Sequence, residues 1–171
     1  MHDWRSEIQT VRDLNPWWIE KAKKRLREQT RPAGSLGMIE TLLERLVAIQ
    51  EQERPDVSRK RILVFAADHG VTEEKVSLYP REVTKAMVFN FLNGGATINS
   101  LARSIKAEVQ VIDMGVDADF ELDPRLIHMK VARGTKNLMR EPAMTEVELD
   151  QAVTVGWNLA HLAKADGIQL L

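Results

Sequence analysis

Residues 61–68, RILVFAAD, are a short continuous apolar run that stops on an acid. The run has no alternation of apolar and polar positions, so it fits a strand covered on both faces. A second such run, AEVQVIDMGV, occupies residues 107–116. LIHMKVARGTKN, residues 126–137, is a weaker third, and GIQLL, residues 167–171, starts a fourth. Covering both faces of such strands requires helices on both sides of a sheet, and the segments between them supply helical patterns. The expected fold is therefore α/β, with a mostly parallel, Rossmann-like sheet flanked by helices.

Asn15-Pro16 opens the first clear helix, with Asn as cap and Pro at the first helical position, and the pattern runs to about Gln29. Pro32 and Gly34 interrupt it, and Ser35 is placed to cap the next helix. There Ile39, Leu42, Leu43, Leu46 and Ile49 recur at helical spacing and predict one buried stripe. Pro80 precedes a helical pattern with Val83, Met87 and Phe91. Gly94-Gly95 breaks it, and Ile98, Leu101 and Ala102 begin another helix. Thr145 and Glu148 form a T-x-x-E capping box. The helix after it is expected to bury Leu149, Ala152, Val153, Gly156, Ala160 and Ala163. Residues 1–55 read as an N-terminal helical arm and residues 56–171 as an α/β domain whose sheet is incomplete at the C-terminus.

Composition removes several classes. Lys+Arg is 24 and Asp+Glu 25, a net charge of -1, so nothing electrostatic recommends nucleic acid or an anionic membrane. The absence of cysteine removes disulfide and thiolate chemistry and leaves a cytoplasmic setting as the default. MHDWRSEIQTVRDL, residues 1–14, has no apolar core for a signal peptide, and no stretch is long enough to span a bilayer.

In parallel α/β sheets, ligands bind beyond the carboxyl ends of the strands. Those ends carry Asp68-His69-Gly70, Asp113-Met114-Gly115 and Arg133-Gly134-Thr135-Lys136-Asn137. Each Asp alone could be a turn or helix cap; three polar ends on one edge of the sheet favour a site. Asp68, Asp113, His69 and His128 could be drawn as a metal set for a hydrolase, but their spacing matches no metal motif. No phosphate-binding glycine motif occurs. The amides at Gly94-Gly95 could meet an anion, although a helix–helix corner explains that pair, and Arg133 with Lys136 could meet a phosphate. Trp17 and Trp18 read as packing residues.

Longer words in the chain are more specific. RPAGSLGMIE, FAADHGVTEEKVSLYPREVTKAMVFNFLNGGATINSLAR, VIDMGV, GTKNLMREPAMT and ADGIQLL stand in one order over roughly residues 25–171. In these the chain resembles the nicotinate-nucleotide–dimethylbenzimidazole phosphoribosyltransferase family. The resemblance implies an enzyme of cobalamin nucleotide-loop assembly. It moves phosphoribose from nicotinate mononucleotide to 5,6-dimethylbenzimidazole, giving α-ribazole 5′-phosphate and nicotinate. It also implies a homodimer without metal or organic cofactor. The family's base pocket maps onto Ser77, Leu78, Tyr79 and Pro80 and onto the helix from Val83 to Met87. Leu78, Tyr79 and Met87 suit apolar contact with an aromatic base, and Ser77 is a polar handle. Asp68, His69 and Asp113 complete the expected substrate-binding set.

Two departures from the family pattern stand out. The family carries Gln in a V-T-x-Q-M context, where this chain reads Val83-Thr84-Lys85-Ala86-Met87, so one polar contact to the base is expected to be absent. After the segment matching GIQLL the family continues with a Gly-rich G-E-M-G-I-x-N-T-T stretch and, far downstream, the general-base glutamate. The expectation is therefore an N-terminal part of the fold without its catalytic base: a truncated piece, a split gene or a degenerate paralogue. The alternative is a non-catalytic module that binds a benzimidazole or ribazole.

Overall fold

The computed structural model describes residues 3–121 and 123–171. Its elements in chain order are α1 (Trp4–Ile8), α2 (Pro16–Arg27), α3 (Met38–Gln50), β1 (Lys60–Ala67), a 3-10 helix (Gly70–Glu74), α4 (Glu82–Leu92), α5 (Thr97–Ser104), β2 (Ala107–Gly115), β3 (Leu126–His128) and α6 (Glu146–Ala165). The chain divides into two compact units, Arg5–Val57 and a larger one that holds Ser58–Leu171.

In the smaller unit α2 packs on α3. Asn15 caps α2, its side chain accepting the Trp17 N–H at 3.0 Å, and the helix ends at Arg27, short of the expected Gln29. Two sequence expectations fail at α3. Ser35 is not its cap; Gly37 is, with a positive φ and no side-chain bond. The Ser35 hydroxyl instead accepts from Arg31, and the Glu40 carboxylate receives both the Leu36 N–H at 3.1 Å and Arg31 at 2.5 Å. The expected stripe is also not the buried face. Ile39, Leu42 and Ile49 are exposed, Leu43 and Leu46 half-buried, and Val47 and Ala48 fully buried. One neighbouring helix covers only a narrow band, here against Ala22 and Leu26.

The larger unit is built on a three-stranded parallel sheet in the order β1-β2-β3. β1 and β2 pair from Lys60 opposite Ala107 to Ala67 opposite Gly115, with an irregularity between Ala66 and Ala67. Ala66, Val111, Val116 and Leu126 bury with Val88 of α4, and Phe91, Leu92 and Phe120 close around them. The continuous apolar runs predicted strands covered on both faces; Val111 and Ile112 of β2 are buried, but Phe65 of β1 is 47% exposed, so β1 is not covered on both.

The third strand is shorter than the run 126–137 suggested. The N–H groups of Met129 and Val131 still donate to the carbonyls of Asp113 and Met114, but the chain then turns away. Thr135 bridges His69 at the end of β1 instead. The fourth strand expected at 167–171 amounts to one parallel bridge, Leu170 opposite Lys60. The capping box of α6 is formed, with Thr145 N–H to Glu148 at 2.7 Å and Glu148 N–H to Thr145 Oγ1 at 3.2 Å. The buried positions of α6 differ from those expected. Leu159 and Ala163 are buried, Ala152, Val153 and Gly156 half-buried, and Leu149 and Ala160 exposed.

At the amino end of the sheet Arg61 is buried between two half-exposed acids. Its guanidinium lies 2.7 Å from Asp166 at the end of α6 and 2.9 Å from Glu108, its register partner on β2. Asp166, then Glu108, hold its proton above the ordinary arginine value. This tie joins two strands and a helix with directed, charge-assisted bonds. The variant Arg61→Met should lower stability by about 1–2 kcal/mol, since both acids can rehydrate once the arginine is gone. Urea unfolding followed by tryptophan fluorescence reads this, and an unchanged midpoint would show that the tie contributes nothing.

Candidate functional site

The loop after β1 is held by backbone meeting backbone. The Asp68 carbonyl accepts the Thr135 N–H at 3.0 Å, and the Gly70 N–H donates to the Thr135 carbonyl at 2.9 Å. The approach leaves no room for a side chain at Gly70, where a Cβ would lie 2.5 Å from Asn137 N and 2.6 Å from Lys136 C. Gly134 faces Asp68 with a φ of +81°. Asn137 is buried and extends the clamp, donating to Glu74 at 2.7 Å and accepting the Met139 N–H at 3.0 Å.

At the end of β1 lies a cleft of about 350 Å³, walled by β1, by Ser77 and Tyr79 to Arg81, and by α4. Six of the eight residues singled out from the sequence line it: Asp68, His69, Ser77, Tyr79, Pro80 and Met87. Leu78 and Asp113 do not. Leu78 is 96% exposed and points into solvent. Asp113 is 0% exposed and sits beneath the sheet end. Its Oδ1 accepts the N–H groups of Gly115 and Val116 at 3.1 and 2.9 Å, and Lys130 Nζ lies 2.8 Å from Oδ2. Lys130 also donates to the Val116 and Ala118 carbonyls. This carboxylate orders the β2 turn, and its Oδ2, which accepts no hydrogen bond, lies against the Lys130 ammonium. A two-aspartate hydrolase centre is not available to it, and the described residues contain no cluster of three acids or histidines suited to a metal.

Asp68 is 5% exposed, and its Oδ2 takes the Asp117 N–H at 2.7 Å. It therefore combines the turn role with a place at the cleft edge. Ser77 accepts the Tyr79 N–H at 3.2 Å, which shapes the loop and leaves its own O–H to donate. His69 Nδ1 lies 3.3 Å from Thr135 Oγ1. His128, on β3 opposite Asp113, is exposed and remote from the cleft lining.

Sequence reasoning missed Phe65, Arg81 and Phe91, which also line the cleft, whereas Val83 and Thr84 lie in the helical segment it pointed to. Phe65 was hidden inside an apolar run. It is 47% exposed because β1 is an edge strand of the sheet. Arg81 has Nε buried without a hydrogen-bond partner and a terminal nitrogen 3.9 Å from Asp117. Phe65 and His69 also line a second, more apolar cavity of about 240 Å³, with Met114, Ala132, Met144 and Glu148. The Thr145 N–H, then its hydroxyl, hold the Glu148 carboxyl below the usual glutamate range. The smaller unit has a cavity of about 410 Å³, but charged side chains line most of it, and Lys21 and Glu53 there pair with each other.

A family model described as "Phosphoribosyltransferase" matches residues 11–171. The curated nicotinate-nucleotide–dimethylbenzimidazole phosphoribosyltransferase of Geotalea uraniireducens is 51% identical over 161 residues, 94% of this chain. Its counterpart in Geobacter sulfurreducens is 53% identical over 153 residues, 90% of this chain. The chain belongs to the nicotinate-nucleotide–dimethylbenzimidazole phosphoribosyltransferase family. It aligns with 46% and 44% of those two relatives, so it spans about half the length of the curated relatives it matches. The crystal structure of the Thermus thermophilus protein of the same name superposes with a TM-score of 0.83 at 41% identity, over 92% of this chain and 48% of that one. The α/β fold with its parallel sheet and flanking helices is thus the fold of part of that enzyme.

The clamp generates a stability prediction. Gly70→Ala should destabilise the protein by about 1–3 kcal/mol, because the atoms facing the new methyl are backbone and cannot step aside. A chemical denaturation curve tests this. A variant as stable as the parent would mean that residues 134–137 move away at no cost.

Proposed function

We propose that this chain carries the base-binding side of a nicotinate-nucleotide–dimethylbenzimidazole phosphoribosyltransferase. Its cleft would take 5,6-dimethylbenzimidazole or a similar planar aromatic base. The observation that carries the reading is the lining of the cleft. Tyr79, Met87, Phe65 and Phe91 offer ring and thioether contact, while Ser77, Thr84 and His69 offer polar atoms at the rim. A flat heteroaromatic ring needs that combination, and the family resemblance implies the same segments. In the complete reaction the base displaces nicotinate at the anomeric carbon of nicotinate mononucleotide, and a carboxylate accepts the ring proton. This chain's part is to bind and orient the base. Asp113, expected among the substrate-binding residues, is buried against Lys130 and does not line the cleft.

The base contacts are separable from the loop's outer surface. By titration calorimetry, the 171-residue chain should bind 5,6-dimethylbenzimidazole. Tyr79→Ala or Met87→Ala should weaken binding about tenfold through lost apolar contact. Leu78→Ala should leave it unchanged, because Leu78 faces water. No binding, or equal loss in all three variants, would overturn the reading. The same chain, incubated with nicotinate mononucleotide and base, is expected to give no α-ribazole 5′-phosphate at an enzymatic rate; robust product on chromatography would show that it holds a sufficient base of its own.

The reading includes a homodimer. Met38, Ile39, Leu42 and Ile49 of α3 are all more than half exposed, which is an apolar stripe of the kind that a second subunit covers. Light scattering coupled to size exclusion should give twice the 19.4 kDa chain mass at micromolar concentration. A monomer throughout that range would overturn this part.

A further inference from the structure

We propose that the open edge of β1 is a docking surface for the polypeptide that makes up the rest of the family's length, added to the sheet as a further parallel strand. The inference stands apart from the base-binding reading, and no ligand enters its test. This chain corresponds to the N-terminal portion of its relatives and aligns with 46% and 44% of two of them. In it β1 is an edge strand, paired with β2 on one side. The other side is occupied only where β1 begins. There the Gln169 N–H donates to the Arg59 carbonyl at 2.9 Å, and the Arg61 N–H to the Leu170 carbonyl at 3.0 Å. Successive N–H groups of a strand point to opposite edges, so those of Leu63 and Phe65 point the same way as that of Arg61. Among the described residues, none outside β2 bonds to the backbone of residues 62–67.

The residues of this edge are not those of a strand that stays open. Natural edges are guarded by charged side chains or proline. Residues 62–67 read ILVFAA, with no charge and no proline, and the one irregularity lies at the far end, between Ala66 and Ala67. Such a run belongs inside a parallel sheet, yet Phe65 is 47% exposed. The bridge between Leu170 and Lys60 is parallel, so it sets the direction and register of a strand that extends it opposite residues 62–67. Two identical edges related by a twofold axis would pair antiparallel and would not extend that bridge. The cavity of about 240 Å³ bordered by Phe65, Ala67, Met114 and Met144 lies at the carboxyl end of the same strand. It gives the added chain apolar surface to cover.

The test co-expresses the tagged 171-residue chain with an untagged polypeptide, the part of the Geotalea uraniireducens relative that lies outside the aligned 46%. The two should purify together in equal amounts and stay together on size exclusion. Hydrogen exchange followed by NMR then locates the contact. In this chain alone the amides of Leu63 and Phe65 should exchange freely, while those of Ile62 and Val64, which face β2, are protected. In the complex Leu63 and Phe65 should slow by at least about tenfold. Leu63→Pro removes an N–H on the open edge and no bond to β2. It should leave Val64 protected and lose the partner; if this variant does not fold, the exchange pattern of the parent decides. A chain purified without its partner, or a complex in which Leu63 and Phe65 stay unprotected, overturns the inference. So does protection of both amides in the chain alone, which a second copy on the edge would give, and so does a folded Leu63→Pro chain that retains the partner at unchanged yield.

Discussion

The larger unit depends on one close approach, the backbone of residues 68–70 lying directly against residues 134–137. Two glycines make it possible, Gly70 by lacking a Cβ where backbone atoms would stand 2.5–2.6 Å away and Gly134 by turning at a positive φ beside Asp68. Paired N–H and C=O groups at 2.9–3.0 Å satisfy polar backbone that would otherwise be orphaned at the end of an edge strand. His69, at the edge of the candidate site, is held by this contact. The contact brings His69 beside Thr135 and sets the start of the 3-10 helix, next to the end of β1 that borders the cleft.

The same arrangement separates two aspartates that look equivalent along the chain. Asp68 and Asp113 both end strands, in A-D-H-G and I-D-M-G contexts. Asp68 keeps a face on the cleft because β1 is an edge strand. Asp113 ends the central strand, so both its flanks are covered. Burial of its charge is offset by Lys130 and two backbone N–H groups. A central strand end buries what an edge strand end can show.

Several elements were legible because their signals are local. Asn15-Pro16, the Thr145–Glu148 box and the apolar runs of β1 and β2 each depend on neighbours a few residues away. Misread features depended on distant partners. The stripe on α3 has regular spacing, but which part of it is buried depends on the width of α2. The α3 cap moved from Ser35 to Gly37 because Arg31 and Glu40 take the polar atoms around it. The run 126–137 stopped pairing early because Lys130 turns inward to Asp113 and Thr135 crosses to β1. The clustering of Ser77, Tyr79 and Met87 was readable from resemblance. The participation of Phe65 and Arg81 was not, since nothing in an apolar run or beside a proline marks a residue as lining a cleft.

The amino-acid sequence by itself determined the α/β class, the family, and the segments that meet at the carboxyl end of the sheet, since composition, periodicity and long ordered motifs are properties of the chain alone. Tertiary structure decided which acid lines the cleft, which one pairs with a lysine and which other side chains border the cleft. Those outcomes depend on exposure and hydrogen-bond partners. Both are set by residues far away in the chain: Lys130 reaches back from beyond β3 to Asp113 on β2, and Thr135 lies 66 positions from His69.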